Sequence, residues 1–265
     1  MDKNLPVGVI DSGVGGLSVL KVLQKMLPHE DFLYIGDTAR TPYGQRTEAE
    51  IRAFVREMTD YLNNAGIKLL VVACNTITVL GTESIKNGYG FDVVGMSKGA
   101  ELALGTTKNK KIGVMATPFT VASNAHKAAV NVLDQDAEVF AQGCPAFVPL
   151  VESGVFEGEP VAKAIAEYAA PLKAAGVDVV LLSCTHFPFI RPAIEAEFGE
   201  GVTVLDPAEA TALQSRLYLE RAGLLKLRGT GHADVCFTAE LERAKAIAEH
   251  MLDMDRCSFR QISLK

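Results

Sequence analysis

The sequence predicts an α/β fold made of two pseudo-symmetric, doubly wound parallel-sheet domains, with the active site in the cleft between them. Two observations support this fold class. Short runs rich in Val, Ile and Leu alternate along the whole chain with segments of helical periodicity, which is the pattern of βα units that form a parallel sheet. In addition, the segment AGIKLLVVACNT that starts at Ala65 recurs as AGVDVVLLSCTH at Ala175, with the same order of helix end, Gly, apolar strand and Cys.

The predicted elements follow from the order of these patterns along the chain. Buried strands are expected where apolar residues run together, at residues 7–10, 32–35, 69–73, 93–96, 112–115, 138–141, 179–183 and 202–205. Amphipathic helices are expected at residues 48–63, 160–174 and 208–222. A further strand at 235–237 and a helix at 240–252 complete the prediction.

Weaker echoes of the internal repeat predict two domains. The segment PVGVIDSG at Pro6 corresponds to KIGVMATP at Lys111, in the same order along the chain as the longer match. We therefore expect two βα domains related by a pseudo-two-fold axis, the first at residues 1–97 with 207–265 and the second at 98–206. Ligands of such sheets bind at the carboxyl ends of the strands, so two of these ends are expected to face each other across a cleft.

Composition and charge exclude several classes of function. Hydrophobic residues make up 48% of the chain and charged residues 22%, which is the balance of an ordinary globular protein. The formal net charge of −6, without a long run of Lys or Arg, argues against nucleic acid as a partner. The sequence has no secretory signal and no apolar stretch that could span a bilayer, so we expect a cytoplasmic protein that does not associate with a membrane.

The chemistry is expected at Cys74 and Cys184, which directly follow the equivalent strands of the repeat. The five cysteines are irregularly spaced in a chain too large to need disulfides, so they are expected to be reduced. Two facing thiols allow three interpretations: a disulfide, a metal site completed by His186 and Cys144, or acid/base groups on opposite faces of one carbon atom. A cytoplasmic setting disfavours the disulfide, and no CxxC or HxxxH spacing supports a metal. Racemisation needs the third arrangement, with a base on one side of Cα and an acid on the other.

Three further side chains are candidates for help with proton transfer, because a thiol titrates at about pH 8.5 and needs assistance to be a thiolate at neutral pH. Asp11 ends the first strand and is a candidate partner of Cys74; the alternative is that it caps the helix that follows it. Glu152 and His186 are candidates beside Cys184. The alternative for His186 is a structural role at a strand end.

Polar side chains at or just after the strand ends are candidates for binding a small amino acid: Ser12, Asn75, Thr76, Thr117, Thr120 and Thr185. A carboxylate there would also benefit from the adjacent helix N-termini. The segment GVGG at 13–16 resembles a dinucleotide-binding loop only weakly, because the full GxGxxG is absent. Since the chain has neither a P-loop nor a Lys in a pyridoxal context, no cofactor is expected.

Five motifs occur in a specific order: GVIDSGVGGLSVL at 8–20, GDTARTPYG at 36–44, ACNT at 73–76, CPAFVPLVESG at 144–154 and CTHFP at 184–188. Together they resemble the glutamate racemases of bacterial cell-wall synthesis, within the aspartate/glutamate racemase family, from the N-terminus to about residue 212. The resemblance implies a two-domain α/β enzyme that interconverts L- and D-glutamate without pyridoxal phosphate or metal and supplies D-glutamate for peptidoglycan. Analogy with the family makes a homodimer plausible.

The resemblance also implies roles for individual residues. Cys74 takes the α-proton from D-glutamate and Cys184 takes it from L-glutamate. Asp11 supports Cys74, while Glu152 and His186 support Cys184. The implied substrate-binding set consists of Ser12, Tyr43, Gly44, Asn75, Thr76, Thr117, Thr120 and Thr185, with Pro42 shaping the pocket.

Several positions depart from the family pattern without touching the proton-transfer set. They are Ile77 and Thr78, where Ala-Ser is usual, Ser97, in a segment that lacks the common Pro, His126, where a Tyr is common, and Pro207, which replaces a Ser. The alternative substrates are therefore aspartate, a hydantoin or another α-acidic carboxylate. An amino acid binding module of two α/β lobes is the alternative of another class, although it has no need of two strand-end cysteines.

Overall fold

The computed structural model describes residues 1–264, with only the backbone described at Ser84. This part of the chain forms ten β-strands: β1 (Val7–Asp11), β2 (Phe32–Gly36), β3 (Leu69–Val72), β4 (Asp92–Gly95), β5 (Lys111–Ala116), β6 (Glu138–Gly143), β7 (Val179–Ser183), β8 (Thr203–Leu205), β9 (Ala233–Phe237) and β10 (Cys257–Gln261). All nine strands that the sequence predicts are confirmed, with small differences at their ends.

Twelve α-helices occur in the same described part of the chain: α1 (Leu17–Met26), α2 (Glu48–Ala65), α3 (Asn75–Val79), α4 (Glu83–Lys86), α5 (Ala100–Thr106), α6 (Pro118–Ala122), α7 (Ala125–Leu133), α8 (Phe147–Glu152), α9 (Glu159–Ala175), α10 (Arg191–Phe198), α11 (Ala208–Arg221) and α12 (Leu241–Ala248). None of these helices combines the length and the apolar character that crossing a membrane requires.

The first of two compact units contains residues 1–96 and the described residues from Ala208 onwards. Its sheet has six parallel strands in the order β10-β9-β2-β1-β3-β4. Every residue of β1, β2 and β3 is buried, as expected for parallel strands that are covered on both faces. The C-terminal strands β9 and β10 extend this sheet beyond β2, and α11 packs against α1.

The second unit spans Ser97–Pro207 and has a four-stranded parallel sheet in the order β6-β5-β7-β8. This order corresponds strand for strand to β2-β1-β3-β4 of the first unit. The match that starts at Ala65 and Ala175 therefore falls on equivalent strands, β3 and β7. The predicted fold class, two α/β domains built on parallel sheets, is confirmed.

Helix α2 shows how the local sequence sets the bounds of an element. The Thr47 hydroxyl accepts the backbone N–H of Glu50, and the Glu50 carboxylate accepts the N–H of Thr47, which is a capping box. The helix ends at Gly66, whose φ of 80° is a conformation that residues with a Cβ rarely adopt. Between these signals, Ile51 and Val55 lie on the buried face that packs against the sheet.

Three details differ from the sequence prediction. Helix α1 begins at Leu17 with Gly16 at its N-cap, so the alternative of Asp11 as its cap is wrong. Helix α12 ends at Ala248, short of the predicted residue 252. Strand β10 was not predicted, because it is an edge strand of mixed polarity, CSFRQ, with no residue fully buried.

A buried ion pair between Lys68 and Glu30 holds two segments of the first unit together. Lys68 Nζ lies 2.5 Å from Glu30 Oε2, and both side chains are completely buried. Lys68 also donates to the carbonyl oxygens of Lys3 and Leu224, while Glu30 Oε1 accepts the backbone N–H of Lys226. The pair therefore ties the N-terminal segment and the loop after α11 to the same point.

Candidate active site

The first unit collects candidate residues at the carboxyl ends of adjacent strands. Strands β1 and β3 are hydrogen-bonded neighbours, and the backbone N–H of Ala73, directly after β3, donates to the carbonyl of Ile10 near the end of β1. Asp11 and Ser12 therefore lie beside Cys74, which forms the N-cap of α3. Sequence positions that are far apart become one cluster because parallel strands end at the same edge.

The Cys74 side chain is buried and lies beside the hydroxyl of Ser12. Its Sγ atom lies 3.9 Å from Ser12 Oγ. Asp11 is completely buried, and its Oδ1 accepts the backbone N–H of Gly13 at 2.9 Å. A Cβ at Gly16 would lie only 2.6 Å from the Asp11 Cβ, so the absence of a side chain at Gly16 permits this carboxylate position.

Asn75 gives a separate sign that the first cluster is built to bind a polar ligand. Its side chain is buried, yet its Nδ2 has no hydrogen-bond partner among the described residues. A buried amide donor without a partner is costly, unless a ligand or water completes its hydrogen bonds. Thr76 follows it in the first turn of α3 and is also buried.

Tyr43 belongs to a hydrogen-bond network that sequence reasoning did not find. Its hydroxyl donates to Asp37 Oδ2 at 2.5 Å, and Arg40 Nε donates to the same oxygen at 2.6 Å. Asp37 Oδ1 accepts the hydroxyl of Thr238 at 2.8 Å. Asp37 lies in the motif GDTARTPYG at 36–44, but no sequence signal pointed to its partner Thr238, which follows β9, since that contact depends on tertiary packing.

The environment of Tyr43 keeps it protonated. Burial and the neighbouring Asp37 carboxylate raise the pKa of Tyr43 well above its usual value, with a further contribution from Cys74. Tyr43 is therefore a fixed hydrogen-bond donor. Pro42 and Gly44 flank it, and the Thr41–Pro42 peptide is cis.

The second unit holds an equivalent cluster around Cys184, which follows β7. Cys184 Sγ lies 3.8 Å from His186 Nδ1, and His186 Nε2 lies 2.7 Å from Glu152 Oε1. All three side chains are buried. Glu152 ends α8, so a helix terminus and a strand end together form a continuous line of thiol, imidazole and carboxylate.

This line of thiol, imidazole and carboxylate favours the charged form of His186. Burial opposes the imidazolium, but the hydrogen bonds with Cys184 and Glu152 together outweigh burial and raise the pKa of His186 well above its usual value. In the charged ring both nitrogens carry a hydrogen, so Nε2 would donate to the Glu152 carboxylate and Nδ1 to the Cys184 sulfur. An imidazolium in this place stabilises a thiolate at Cys184.

The raised pKa of His186 predicts a measurable protonation state. We expect the His186 imidazole resonances to report the protonated ring at about pH 7, and the Glu152→Gln variant to titrate at lower pH. Because the folded state favours the charged form, the contribution to stability is full below the ordinary pKa of 6.5 and is lost as pH rises through the raised pKa. NMR titration of the wild-type protein and this variant checks both points, and a neutral His186 ring at pH 7 contradicts them.

Cys144 shows by contrast what His186 does for Cys184. Cys144 follows β6, and its N–H donates to the carbonyl of Ala116 at the end of β5. Burial, with a further contribution from Cys184, raises the pKa of the Cys144 thiol. It has no imidazole at hydrogen-bonding distance among the described residues, so Cys144 lacks the partner that His186 provides for Cys184.

The polar candidates of the second unit lie at the ends of β5 and β7. Thr117 is the N-cap of α6; its Oγ1 accepts the N–H of Thr120 and lies 3.1 Å from Thr120 Oγ1. Thr185, which lies between Cys184 and His186 in the sequence, is also buried. Strands β5 and β7 are neighbours, which places Thr117 beside Cys184.

The cysteines are all free thiols, and among residues 1–264 no three His, Cys, Asp or Glu side chains come together in a geometry that could hold a metal ion. The predicted site residues thus form two clusters, one in each unit. Each cluster has a thiol at a strand end, a buried ionisable neighbour and a set of hydroxyl or amide groups.

The two parallel-sheet units, each with a thiol at a strand end, define the class of protein as a two-domain α/β protein, and comparison with known proteins specifies its family. The chain belongs to the Asp/Glu/hydantoin racemase family, whose model matches residues 7–214. The protein is therefore an enzyme of the racemase type.

Relatives with full-length similarity support this assignment. A glutamate racemase of Lysinibacillus sphaericus is 43% identical over 264 residues, which cover 99% of this chain and 100% of that protein. The crystal structure of a glutamate racemase isoform from Bacillus anthracis matches with a TM-score of 0.92 and 34% identity, covering 99% of this chain and 98% of that chain. A glutamate racemase from Francisella tularensis in complex with D-glutamate matches with a TM-score of 0.88 and 28% identity, covering 99% and 98%.

Proposed function

We propose that the protein is a glutamate racemase that interconverts L- and D-glutamate, with Cys74 and Cys184 acting on opposite faces of Cα of one substrate molecule. The observation that carries this proposal is the occurrence of a strand-end thiol with its own polar support in each of two topologically equivalent units. The names of the full-length relatives support glutamate as the substrate. The biological role proposed with it is the supply of D-glutamate for peptidoglycan.

In the first unit, Cys74 removes the α-proton of D-glutamate or delivers a proton to form it. The Cys74 thiol donates to Ser12 Oγ at 3.9 Å, and once the thiol has ionised the same hydroxyl can donate to the thiolate. The buried Asp11 carboxylate supports the thiol as a proton acceptor. Its fixed position, set by the N–H of Gly13, keeps it available at the strand end.

In the second unit, Cys184 performs the mirror-image step on L-glutamate. His186 holds the thiolate by charge, and Glu152 orients the ring through the 2.7 Å hydrogen bond. The two thiols thus perform the same proton transfer with different supporting groups. A carboxylate supports Cys74, and an imidazolium supports Cys184.

Substrate binding is assigned to the remaining polar groups of the two clusters. Carbanion formation next to an ionised carboxylate is difficult, so fixed donors must surround the developing charge and water must be excluded. Asn75 Nδ2 is a buried donor that a substrate oxygen can satisfy. The other proposed contacts come from Ser12, Tyr43, Gly44, Thr76, Thr117, Thr120 and Thr185, with Pro42 shaping the loop.

The His186→Asn variant tests the role of the imidazole. L- and D-glutamate have equal free energies in water, so kcat/KM must fall equally in both directions, by roughly 10² for loss of acid/base support. The slowed step is proton removal by Cys184. The kinetic isotope effect of deuterium at Cα is therefore expected to increase for L-glutamate more than for D-glutamate.

The exposed His250 provides the matched control for that experiment, and His250→Asn is expected to leave kcat/KM and both isotope effects unchanged. An equal rise in the isotope effect for both enantiomers would contradict the assignment of His186 to one of the two thiols.

A substrate panel tests the proposed function itself. The purified protein is incubated without added cofactor with each enantiomer of glutamate, of aspartate and of a substituted hydantoin, and the products are separated by chiral chromatography. We expect glutamate to be converted to a 1:1 mixture and the other compounds to react far more slowly. Preferential racemisation of aspartate or of the hydantoin would overturn glutamate as the substrate, and binding of glutamate without racemisation would favour a binding module.

A further inference from the structure

The second unit contains a cavity whose lining does not include Cys184, His186 or Glu152. Its volume is about 230 Å³, and it opens between β5, β6 and the N-terminal end of α7. Part of its wall is apolar, formed by Val114, Val121, Val139 and Ala141. The polar part is formed by Thr120, Asn124, His126 and Lys127.

His126 is the residue that gives this cavity chemical character. Only 4% of the residue is exposed, and its Nε2 has no hydrogen-bond partner among the described residues. Buried imidazole nitrogens in proteins are almost always hydrogen-bonded, because an unmet donor or acceptor in the interior is unfavourable. Position 126 is also one where a Tyr is common in the family that the sequence resembles.

The charges around His126 favour an anion. Burial and the positive charge of Lys98 lower the pKa of His126 to about 4, so the ring is neutral at pH 7 and one of its nitrogens carries a hydrogen. Lys127 lines the cavity, and the first turn of α7 contains no acidic residue. The side chain of Asn124 makes no capping hydrogen bond at the N-terminus of α7. The dipole of this nine-residue helix adds to the positive potential at the same end.

We infer that this cavity binds a small organic acid with one carboxylate and a short apolar chain. The carboxylate accepts a hydrogen bond from His126 Nε2 and lies near Lys127 and the start of α7. The chain packs on the valines and the alanine of the opposite wall. A purely inorganic anion would leave that apolar wall uncovered, and a purely apolar ligand would leave the imidazole nitrogen unsatisfied.

Thr120 of α6 lines the cavity and also belongs to the polar groups that follow β5. An occupant of the cavity would therefore lie next to α6. Occupancy is nevertheless independent of the proposed racemisation, because it is measured as binding. The two proposals can therefore fail separately.

The test is NMR of the full-length protein titrated with sodium butyrate, with sodium phosphate and with sodium chloride at matched ionic strength. The chain has five histidines, and the others serve as internal references. We expect butyrate to shift the imidazole resonance of His126 in a saturable manner, and phosphate to do so weakly. No saturable shift with butyrate, equal shifts at all five histidines, or an equal effect of phosphate would overturn the inference.

Variants test which groups hold the carboxylate. Saturation transfer observed on butyrate is expected to be lost in His126→Phe, which fills space and removes the nitrogen. In Lys127→Ala, the same saturation transfer is expected to require about fivefold more butyrate. This is the loss of affinity expected when one weakly screened charge is removed from the site. Lys163→Ala, an exposed lysine on α9, is the matched control and should bind as the wild type does. Unchanged binding in His126→Phe, with the fold intact by circular dichroism, would also overturn the inference.

Discussion

The Cys74→Ser and Cys184→Ser variants are each expected to lower kcat/KM for glutamate racemisation by at least about 10³, close to the upper end of what one acid/base group contributes. A thiol titrates at about pH 8.5, whereas a serine hydroxyl is a far weaker acid, so it can neither serve as a base at neutral pH nor return easily to its ionised form. Because the two enantiomers have the same free energy, the loss must be equal in both directions for each variant. Coupled chiral analysis of initial rates from L- and D-glutamate measures it.

The other cysteines provide controls for the cysteine variants. Cys257 lies at the edge strand β10, where its Sγ accepts a hydrogen bond from Gln24, and Cys257→Ser is expected to retain full activity. The Cys74→Ser/Cys184→Ser double variant is expected to be little worse than either single variant, because in the proposed mechanism the two thiols act in one proton transfer sequence. Substantial racemisation by either single variant would contradict the two-base mechanism.

The largest effect on stability is expected from Lys68→Met. This change leaves the Glu30 carboxylate buried without its cation, and removing one partner of a buried ion pair costs about 3–5 kcal/mol of unfolding free energy. The carbonyl oxygens of Lys3 and Leu224 lose their donor at the same time. Urea denaturation followed by circular dichroism measures the change.

Two comparison variants make the stability result specific. Lys226→Met removes a pair with Asp31 that is partly exposed, and its cost is expected to be within about 1 kcal/mol. Lys68→Met/Glu30→Gln removes the uncompensated charge, so it is expected to be more stable than Lys68→Met alone. If Lys68→Met unfolds at the same urea concentration as the wild type, the pair does not have the role assigned to it.

The fold was predictable because its strands are short apolar runs that only a sheet covered on both faces can bury. The repeat that starts at Ala65 and Ala175 marked equivalent strands, and the strand order in the two units reproduces that equivalence. Strand β10 escaped prediction because an edge strand needs no apolar run. The alternative role of Asp11 as the cap of α1 fails because the chain turns through residues 12–16 before the helix begins.

The candidate site was predictable only where a residue's place on a strand decides its position. The placement of Cys74 and Cys184 after β3 and β7 follows from the apolar runs that precede them. The network of Asp37, Arg40 and Tyr43 reaches Thr238, which is distant in sequence, and packing brings the two together. The unsatisfied nitrogen of His126 is likewise visible only once the surrounding side chains are placed.

Deuterium incorporation at early times tests the central claim most directly. Each enantiomer of glutamate is incubated with the protein in D₂O, and mass spectrometry after chiral separation follows deuterium at Cα. If two thiols act from opposite faces, the newly formed enantiomer contains solvent deuterium, because the thiol that delivers the new hydrogen has exchanged with D₂O. The unreacted starting enantiomer retains hydrogen, because the opposite cysteine returns the same hydrogen that it removed. Deuterium that appears in the starting enantiomer as fast as in the product, or a product that retains the original hydrogen, would contradict the account.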